Sequence, residues 1–234
     1  MIYPVLILSG GLGSRLGKLT INEPKAMMNI NNKPFIYHQL KFLSKNGIKD
    51  VIICIGYLGK KIKSYLSCEK KIKMNIKFSI EKKPLGTGGA IKKALSLVKK
   101  NFFILYGDTY LQINLKNVQK KYQLLKSNSM ITIYKNRNKL DKSNIFFEKN
   151  NLIYNKIRKN KKMTHIDYGL SVFNKNFFKS LCRDKTKFDL SEIFASLSNK
   201  KKLDYYLVKK RFFEIGSIQS LRKTREYFKN AVSL

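Results

Sequence analysis

The chain has 234 residues, of which 43% are hydrophobic and 12% aromatic, so it is long enough and apolar enough to bury one continuous core. This composition excludes a disordered polyelectrolyte, and three cysteines without a Cys-x-x-Cys pair exclude a disulfide framework or a zinc site. The chain has no run of 18 apolar residues and no signal-peptide pattern, so the expected location is the cytoplasm, without membrane contact.

The formal net charge of +35 raises the possibility of a nucleic-acid partner. The positive residues are mostly lysines spread along every segment, and neither an arginine stripe nor an aromatic RNA-binding motif accompanies them. We therefore expect a solvated basic surface and no specific nucleic-acid partner. A nucleic-acid binder remains the alternative from a different functional class, and its affinity would collapse with added salt.

The first predicted element is a buried strand at Val5–Leu8 that runs into a glycine-rich loop. A short apolar run suits a parallel sheet covered on both faces, and ligands of such sheets lie beyond the carboxyl ends of the strands. Glycines allow backbone N–H groups to approach phosphate oxygens, and Arg15 and Lys25 add positive charge. The loop therefore predicts a phosphate site.

Two familiar phosphate loops do not fit this stretch. A dinucleotide fingerprint read from Gly11 would need glycine at Leu16, and a Walker loop ending at Lys18 would need Ser or Thr at Leu19. An ordinary glycine-rich turn between strand and helix remains the structural alternative.

Three segments carry a different resemblance: Gly10-Gly11-x-Gly13-Ser14-Arg15-Leu16, Glu23-Pro24-Lys25 and Asn32-Lys33-Pro34. They resemble the sugar-phosphate nucleotidyltransferases, most closely the heptose and mannose 1-phosphate guanylyltransferase branch. The resemblance implies a single Rossmann-like three-layer α/β/α domain with a mixed, mostly parallel sheet. It also implies a Mg²⁺-dependent enzyme for surface-polysaccharide biosynthesis, which joins an NTP, best GTP, to a sugar 1-phosphate and releases pyrophosphate.

The next elements alternate strand and helix. Pro34 opens a helix with its apolar stripe at Ile36, Leu40 and Leu43, and Asp50–Ile55 is the second core strand. A lysine-studded helix then leads to a third strand at Met74–Ile80. This rhythm predicts parallel strands joined by crossovers.

A second glycine-rich loop spans Glu81 to Ala90, before a predicted helix from Ile91 to Lys99. It is similar to the segment that family members lay along the base and ribose. A turn in which Thr87 is the N-cap is the structural alternative. The nucleotide-binding residues that the resemblance implies are Leu8, Ser9, Gly10, Gly11, Gly13, Ser14, Arg15, Pro84, Gly86, Thr87 and Gly88.

Acidic residues follow two predicted strands. Asn101–Tyr106 is a core strand that ends in Gly107-Asp108, and a later strand at Phe212-Phe213 ends in Glu214. Magnesium prefers carboxylates together with phosphate oxygens, and the family resemblance makes Asp108 and Glu214 the metal ligands. A helix cap at Asp108 and an N-cap at Ser217 are the structural alternatives.

The segment from Lys135 onwards is expected to bind the acceptor. Short strands at Asn144–Glu148 and Leu152–Ile157 and polar loops such as Arg158–Lys162 precede a glycine turn in His165–Ser171. The resemblance implies acceptor contacts from Lys156, Asp167 and Gly169. Family members usually have Glu-Lys where this chain has Asn155-Lys156, so the acceptor stays open. His165 is expected to be structural, because no nucleophile is near it in sequence.

The predicted domain has a nucleotide-binding half (1–134), an acceptor-binding half (135–216) and a closing helix (217–234). The expected catalytic residues are Arg15, Lys25 and Asp108. The acceptor phosphate is already an anion, so catalysis needs positioning and charge neutralisation rather than an activated nucleophile. Cytidylyl, uridylyl or thymidylyl transfer, a non-sugar acceptor, and a non-catalytic nucleotide-binding domain remain alternatives, and the oligomeric state stays open.

Overall fold

The computed structural model describes residues 1–11, 13–156 and 162–232. Its strands within these ranges are β1 (Val5–Ser9), β2 (Asn29–Ile30), β3 (Lys33–Pro34), β4 (Asp50–Ile55), β5 (Asn75–Ile80), β6 (Asn101–Tyr106), β7 (Thr109–Tyr110), β8 (Ser129–Lys135), β9 (Ile145–Glu148), β10 (Asn151–Tyr154), β11 (His165–Asn174), β12 (Asp204–Val208) and β13 (Phe213–Glu214). The helices are α1 (Phe35–Lys45), α2 (Gly59–Cys68), α3 (Gly86–Ala94), α4 (Leu115–Leu124), α5 (Lys175–Leu181), α6 (Leu190–Asn199) and α7 (Ile218–Val232). Short 3₁₀ segments lie at Ser14–Thr20, Lys25–Met27 and Leu95–Leu97.

A nine-stranded mixed sheet organises the molecule. Strands β6, β1, β4 and β5 lie side by side and parallel, and β11 pairs antiparallel with β6. Beyond β11 the sheet divides, because β11 pairs with β9 near His165 and with β8 along most of its length. The parallel strands end together at one edge of the sheet, where the loops after β1, β5 and β6 lie.

Helices cover both faces of this sheet. In β1, Val5 and Ile7 face a core shared with α1, α2 and α4, whereas Leu6 faces a core shared with α3, α5 and α6. The strand is buried on both faces, as its continuous apolar sequence predicts. The result is the α/β/α arrangement that the resemblance implied.

A third, smaller cluster lies beside the loop after β1. Leu16, Phe35, Ile215 and Leu221 are buried together, so α7 packs against the start of the chain. Strand β13 forms a two-residue antiparallel bridge with β7, in which Glu214 is opposite Thr109. This bridge brings the end of the chain to the residue that follows Asp108.

The predicted fold class is confirmed, and three local predictions are wrong. The strand predicted at Leu152–Ile157 ends at Tyr154, and Asn155 and Lys156 do not continue it. Helix α3 begins at Gly86 rather than Ile91, because residues 86–90 are its first turns and not a loop. The predicted glycine turn at His165–Ser171 is part of the continuous strand β11, which shifts register between Asp167 and Ser171 with Gly169 at φ 92°. Ile157, at the end of a predicted strand, and residues 158–161 of the predicted polar loop lie outside the described residues.

In the part of the chain that the structure describes, no helix has the length and apolar character needed to cross a bilayer.

Candidate active site

A pocket opens at the edge where the parallel strands end, with a volume of about 570 Å³. We call it the first pocket. Residues from the loops after β1, β5 and β6 line it. The predicted site residues that line it are Leu8, Ser9, Gly10, Gly11, Lys25, Pro84, Gly86, Thr87 and Asp108.

A second pocket of about 370 Å³ lies beside the first. It is formed by the antiparallel part of the sheet and the start of α7. The predicted site residues that line it are Arg15, Thr87, Asp108, Lys156, Asp167 and Glu214. Thr87, Tyr106 and Asp108 line both pockets, so the two pockets meet at these residues.

An ion pair marks this junction. Lys25 Nζ donates to Asp108 Oδ2 at 3.0 Å, and both side chains remain partly accessible, at 17% and 27%. Asp108 is followed by strand β7, and the next helix, α4, begins at Leu115 with Asn114 as its N-cap. The helix-cap alternative for Asp108 is therefore wrong, and its carboxylate faces the pockets.

Glu214 approaches the same junction from the other end of the chain. The N–H of Ile215 donates to the Asp108 carbonyl at 3.0 Å, and the Glu214 carboxylate accepts from the N–H of Gly216. Two carboxylates that line one pocket are the oxygen donors that Mg²⁺ prefers when phosphate completes its coordination. The donor set therefore fits a divalent cation. Ser217 also caps α7, since its hydroxyl accepts from the N–H of Ser220, so the structural alternative for this turn is present.

The first glycine loop divides its residues between the two pockets. Gly10 and Gly11 line the first pocket, whereas Arg15 lines the second, with its guanidinium beside Gly216. Gly13 and Ser14 line neither pocket; Gly13 adopts φ 70° and begins the 3₁₀ segment. Ser9 contributes a buried hydroxyl without a hydrogen-bond partner among the described residues.

The glycines of α3 serve packing more than ligand access. The N–H groups of Gly88 and Gly89 donate to the Phe188 carbonyl at 2.9 and 3.2 Å, and Phe188 N–H donates to Leu85 O at 3.0 Å. A Cβ on Gly88 would collide with the Phe188 ring. The N-terminus of α3 is therefore occupied by residue 188, and Gly88 does not line the first pocket.

Thr87 joins two helix starts. Its hydroxyl contacts Asp189 Oδ1 at 3.2 Å and accepts from the N–H of Leu190 at 2.8 Å. Since Leu85 is the N-cap of α3, Thr87 is not that cap and instead satisfies the first N–H of α6. Asp189 is the N-cap residue of α6, and it also lines the first pocket.

The second pocket contains a hydrogen-bonded carboxylate. Asp167 accepts from the Tyr106 hydroxyl at 3.0 Å and from the Gly169 N–H at 2.9 Å. Burial raises the pKa of Asp167 to about 6, although these two donors and Lys156 oppose the shift. Lys156 is exposed at the same pocket, and Gly169 shapes the strand without lining the pocket.

His165 makes structural contacts, as expected, and Cys54 belongs to the core, although it also lines the first pocket. His165 is buried, contacts the Thr164 hydroxyl at 3.0 Å and packs edge-on against Phe147, and burial lowers its pKa. Cys54 is buried in the core, where burial raises its pKa to about 12. Neither residue has the nucleophile or base partner that covalent catalysis would need.

Sequence reasoning missed two acidic residues of the first pocket. The sequence predicts only a loop position for Glu81 and no site role for Asp189, yet both line this pocket. Glu81 follows β5 directly, so its place after a strand at this edge was an available signal. Asp189 had no such signal, because 102 positions separate it from the residue it contacts, Thr87.

Comparisons with known proteins find a matching family and relatives that are similar over nearly the whole chain. The family described as nucleotidyl transferase matches residues 4–230 of the chain. The D-glycero-alpha-D-manno-heptose 1-phosphate guanylyltransferase of Campylobacter jejuni is 33% identical over 213 residues, which cover 90% of this chain and 93% of that protein. The protein of the same name from Aneurinibacillus thermoaerophilus is 30% identical over 224 residues, covering 94% and 96%.

Solved structures show the same fold. HddC from Yersinia pseudotuberculosis superposes with a TM-score of 0.81 at 26% identity, covering 97% of this chain and 100% of that one. A second structure of HddC, complexed with GMP-PN, superposes equally well, with a TM-score of 0.81 at 25% identity over the same shares.

Proposed function

The chain belongs to the nucleotidyl transferase family, and from this premise we propose that it joins GTP to a sugar 1-phosphate of the heptose or mannose type. The products are a GDP-sugar and pyrophosphate. Relatives named as heptose 1-phosphate guanylyltransferases, similar over nearly the whole chain, support this choice of base and acceptor.

The observation that carries the proposal is the junction of the two pockets. Asp108, paired with Lys25, lies where a pocket lined by the glycine loop meets a pocket lined by Asp167 and Lys156. A reaction between two bound phosphates needs such a shared boundary, because the attacking oxygen and the reacting phosphorus have to be held close together. The nucleotide is assigned to the first pocket and the sugar phosphate to the second.

The chemistry is an in-line displacement at phosphorus. A phosphate oxygen of the acceptor forms a bond to the α-phosphorus, the bond from that phosphorus to the bridging oxygen breaks, and pyrophosphate leaves with the electron pair. The nucleophile is an anion near neutral pH, so no protein base is required. The protein positions the two phosphates and offsets their repulsion.

Each cationic side chain has a place in this scheme. Lys25 supports the charge that develops at the α-phosphorus, after exchanging its ion pair with Asp108 for the phosphate. The amides of Gly10 and Gly11 hold the β- and γ-phosphates from the first pocket, Arg15 reaches these phosphates from the second pocket, which it lines, and Lys156 holds the acceptor phosphate. Asp167 accepts hydrogen bonds from sugar hydroxyls. The buried, unpartnered hydroxyl of Ser9 supports a polar ligand at this loop.

Asp108 and Glu214 would hold Mg²⁺. A bound cation would neutralise negative charge on the phosphate oxygens. Asp108 comes from the middle of the chain and Glu214 from near its C-terminal end, and the bridge between β7 and β13 joins the two segments.

The proposal is tested by incubating the protein with Mg²⁺, each NTP in turn and a panel of sugar 1-phosphates, while pyrophosphate release is followed. We expect turnover with GTP and a heptose or mannose 1-phosphate, and loss of turnover when EDTA removes the metal. A preference for another NTP would overturn the choice of base. Nucleotide binding without pyrophosphate release would identify a non-catalytic domain.

A further inference from the structure

We propose that Gln39 is a positioning residue for the metal site, because its side-chain amide fixes the turn that presents Asp108. The inference rests on the proposed function, in which Asp108 and Glu214 hold Mg²⁺. Gln39 lines neither pocket, so it would act through the backbone and not by touching a substrate.

Gln39 is a polar residue on the buried face of α1. It is 1% exposed and shares this face with the buried residues Ile36, Leu40 and Leu43. A buried amide costs free energy unless it is hydrogen-bonded, and an apolar side chain would fill this place without that cost. The contacts of the amide therefore need an explanation beyond the packing of the helix.

The side-chain amide of Gln39 closes the turn after β6. Its Nε2 atom donates to the Tyr106 carbonyl at 2.9 Å and to the Thr109 carbonyl at 2.8 Å. Both partners are acceptors, so the nitrogen of the amide faces the turn, and Gln39 Oε1 is buried without a hydrogen-bond partner among the described residues. One amide group thus ties the last residue of β6 to the first residue of β7, and only Gly107 and Asp108 lie between them.

The position of this turn affects both proposed metal ligands. Asp108 lies inside the turn, and the Thr109 hydroxyl donates to Asp108 Oδ1 at 3.3 Å. Thr109 is also opposite Glu214 in the bridge between β7 and β13. Without the two bonds from Gln39, the turn is free to shift against the main sheet and to move both carboxylates. Because Mg²⁺ requires near-ideal octahedral geometry, such a shift would weaken its binding.

The gain in GTP affinity that Mg²⁺ brings is the measurement that isolates this role. We would titrate GTP into the wild-type protein and into Gln39→Met by isothermal calorimetry, once with Mg²⁺ and once with EDTA, without acceptor. Methionine has nearly the length of glutamine but no donor. Gln119→Met is the matched control, because the Gln119 amide also joins two backbone groups, the Tyr3 N–H and the Met1 carbonyl, and lines neither pocket.

We expect Gln39→Met to reduce the affinity gain from Mg²⁺ on the order of tenfold, since groups that orient metal ligands contribute this much to metal affinity. GTP binding in EDTA should stay within about twofold of the wild type, and Gln119→Met should keep the wild-type gain. In Asp108→Asn, which lacks one ligand, the added Gln39→Met change should cost less than about twofold more, because Gln39 acts through Asp108.

Three results would overturn the assignment. An unchanged gain from Mg²⁺ would show that the turn holds without the amide. Equal weakening of GTP binding with Mg²⁺ and with EDTA, or a full further loss on top of Asp108→Asn, would show that Gln39 only supports the fold. If circular dichroism shows that Gln39→Met does not fold, Gln39→Asn takes its place with the same expected loss, because its amide is one methylene too short to reach both carbonyls.

Failure of the proposed function gives a different pattern in the same experiment. If the wild type gains affinity from Mg²⁺ but releases no pyrophosphate with any acceptor, the transfer reaction is wrong, and the binding data still decide the role of Gln39. If the wild type gains nothing from Mg²⁺, the metal site itself is wrong, and the role of Gln39 is overturned with it.

Discussion

At the scale of single residues, the proposed reaction depends most on the ion pair between Lys25 and Asp108. It joins a cation that would meet the reacting phosphate to an anion that would hold the metal. In water such a pair stabilises the fold little, so its position between two pockets points to function.

Replacement of Asp108 tests this assignment. Asp108→Asn keeps the size of the side chain but removes its charge, and we expect kcat to fall on the order of hundredfold or more. Asp184→Asn, at an exposed position outside both pockets, should retain wild-type turnover. Initial rates of pyrophosphate release measure both variants. If Asp108→Asn stays within a few-fold of the wild type, Asp108 has no part in the chemistry.

Asp167 gives a prediction about stability and pH. Burial raises its pKa from 3.8 to about 6, so between these values the folded protein holds a proton that the unfolded chain has released. The stabilisation from this proton is fully present below the unfolded pKa and is lost as the pH rises through the folded pKa. Asparagine at position 167 has no charge to desolvate, so the variant does not lose this stability as the pH rises.

We therefore expect Asp167→Asn to gain free energy of unfolding relative to the wild type as the pH rises from about 4 to about 7. Urea unfolding of both proteins at several pH values measures the difference. Comparing the two proteins at each pH cancels the titration of all other groups. A difference that does not change with pH would refute the raised pKa.

Much of this residue-level picture could be predicted from the sequence. Asp108 follows a strand of the parallel part of the sheet, and parallel strands present such residues at one edge, whereas Glu214 belongs to β13, which pairs antiparallel with β7 outside the main sheet. Asp189 could not be predicted, because only the folded contact between the starts of α3 and α6 brings it to the first pocket. Nor does the glycine pattern reveal that Arg15 lines the second pocket rather than the first.

At the scale of elements, the start of α3 depends on the segment before α6. The Phe188 carbonyl accepts two of the first N–H groups of α3, and the Phe188 ring covers Gly88. The sequence presents residues 86–89 as a ligand loop, because glycines that allow close packing and glycines that allow ligand approach look the same in sequence.

Gly88→Ala tests the packing role. Alanine favours a helix by up to about 1 kcal/mol over glycine, but the added methyl would collide with the Phe188 ring, so we expect a net loss of about 1–3 kcal/mol of stability. Gly11→Ala is the matched control, since nothing lies within 4 Å of its added Cβ. Chemical denaturation compares the two. Equal stabilities would show that residue 188 does not constrain α3.

The start of α1 follows its sequence signal. Pro34 precedes α1, as predicted, and Gly47 adopts φ 80° just after it, which is typical of glycine at the end of a helix. The sequence predicts a turn where β11 has a bulge, because a glycine such as Gly169 beside a polar residue is typical of turns and of bulges alike. This segment is a strand, because its residues pair with β6 on one side and with β8 on the other.

At the scale of the whole molecule, charge and fold have separate explanations. The fold follows from apolar runs buried on both faces of one sheet, and the family match covers residues 4–230. The excess of 35 positive charges lies on lysines spread along the chain, and those that line the pockets, such as Lys25 and Lys156, are few. We propose the division into a nucleotide half (1–134), an acceptor half (135–216) and a closing helix (217–234), since every residue that lines the first pocket except Asp189 belongs to the first of these, and the second contributes the largest share of the second pocket.

The central claim is that the acceptor phosphate attacks the α-phosphorus of the nucleotide. An acceptor sugar 1-phosphate labelled with ¹⁸O in its non-bridging phosphate oxygens, incubated with GTP, Mg²⁺ and the protein, tests it through mass spectrometry of the products. We expect all of the label to appear in the GDP-sugar and none in pyrophosphate. Label in pyrophosphate, or the absence of any GDP-sugar, would contradict it.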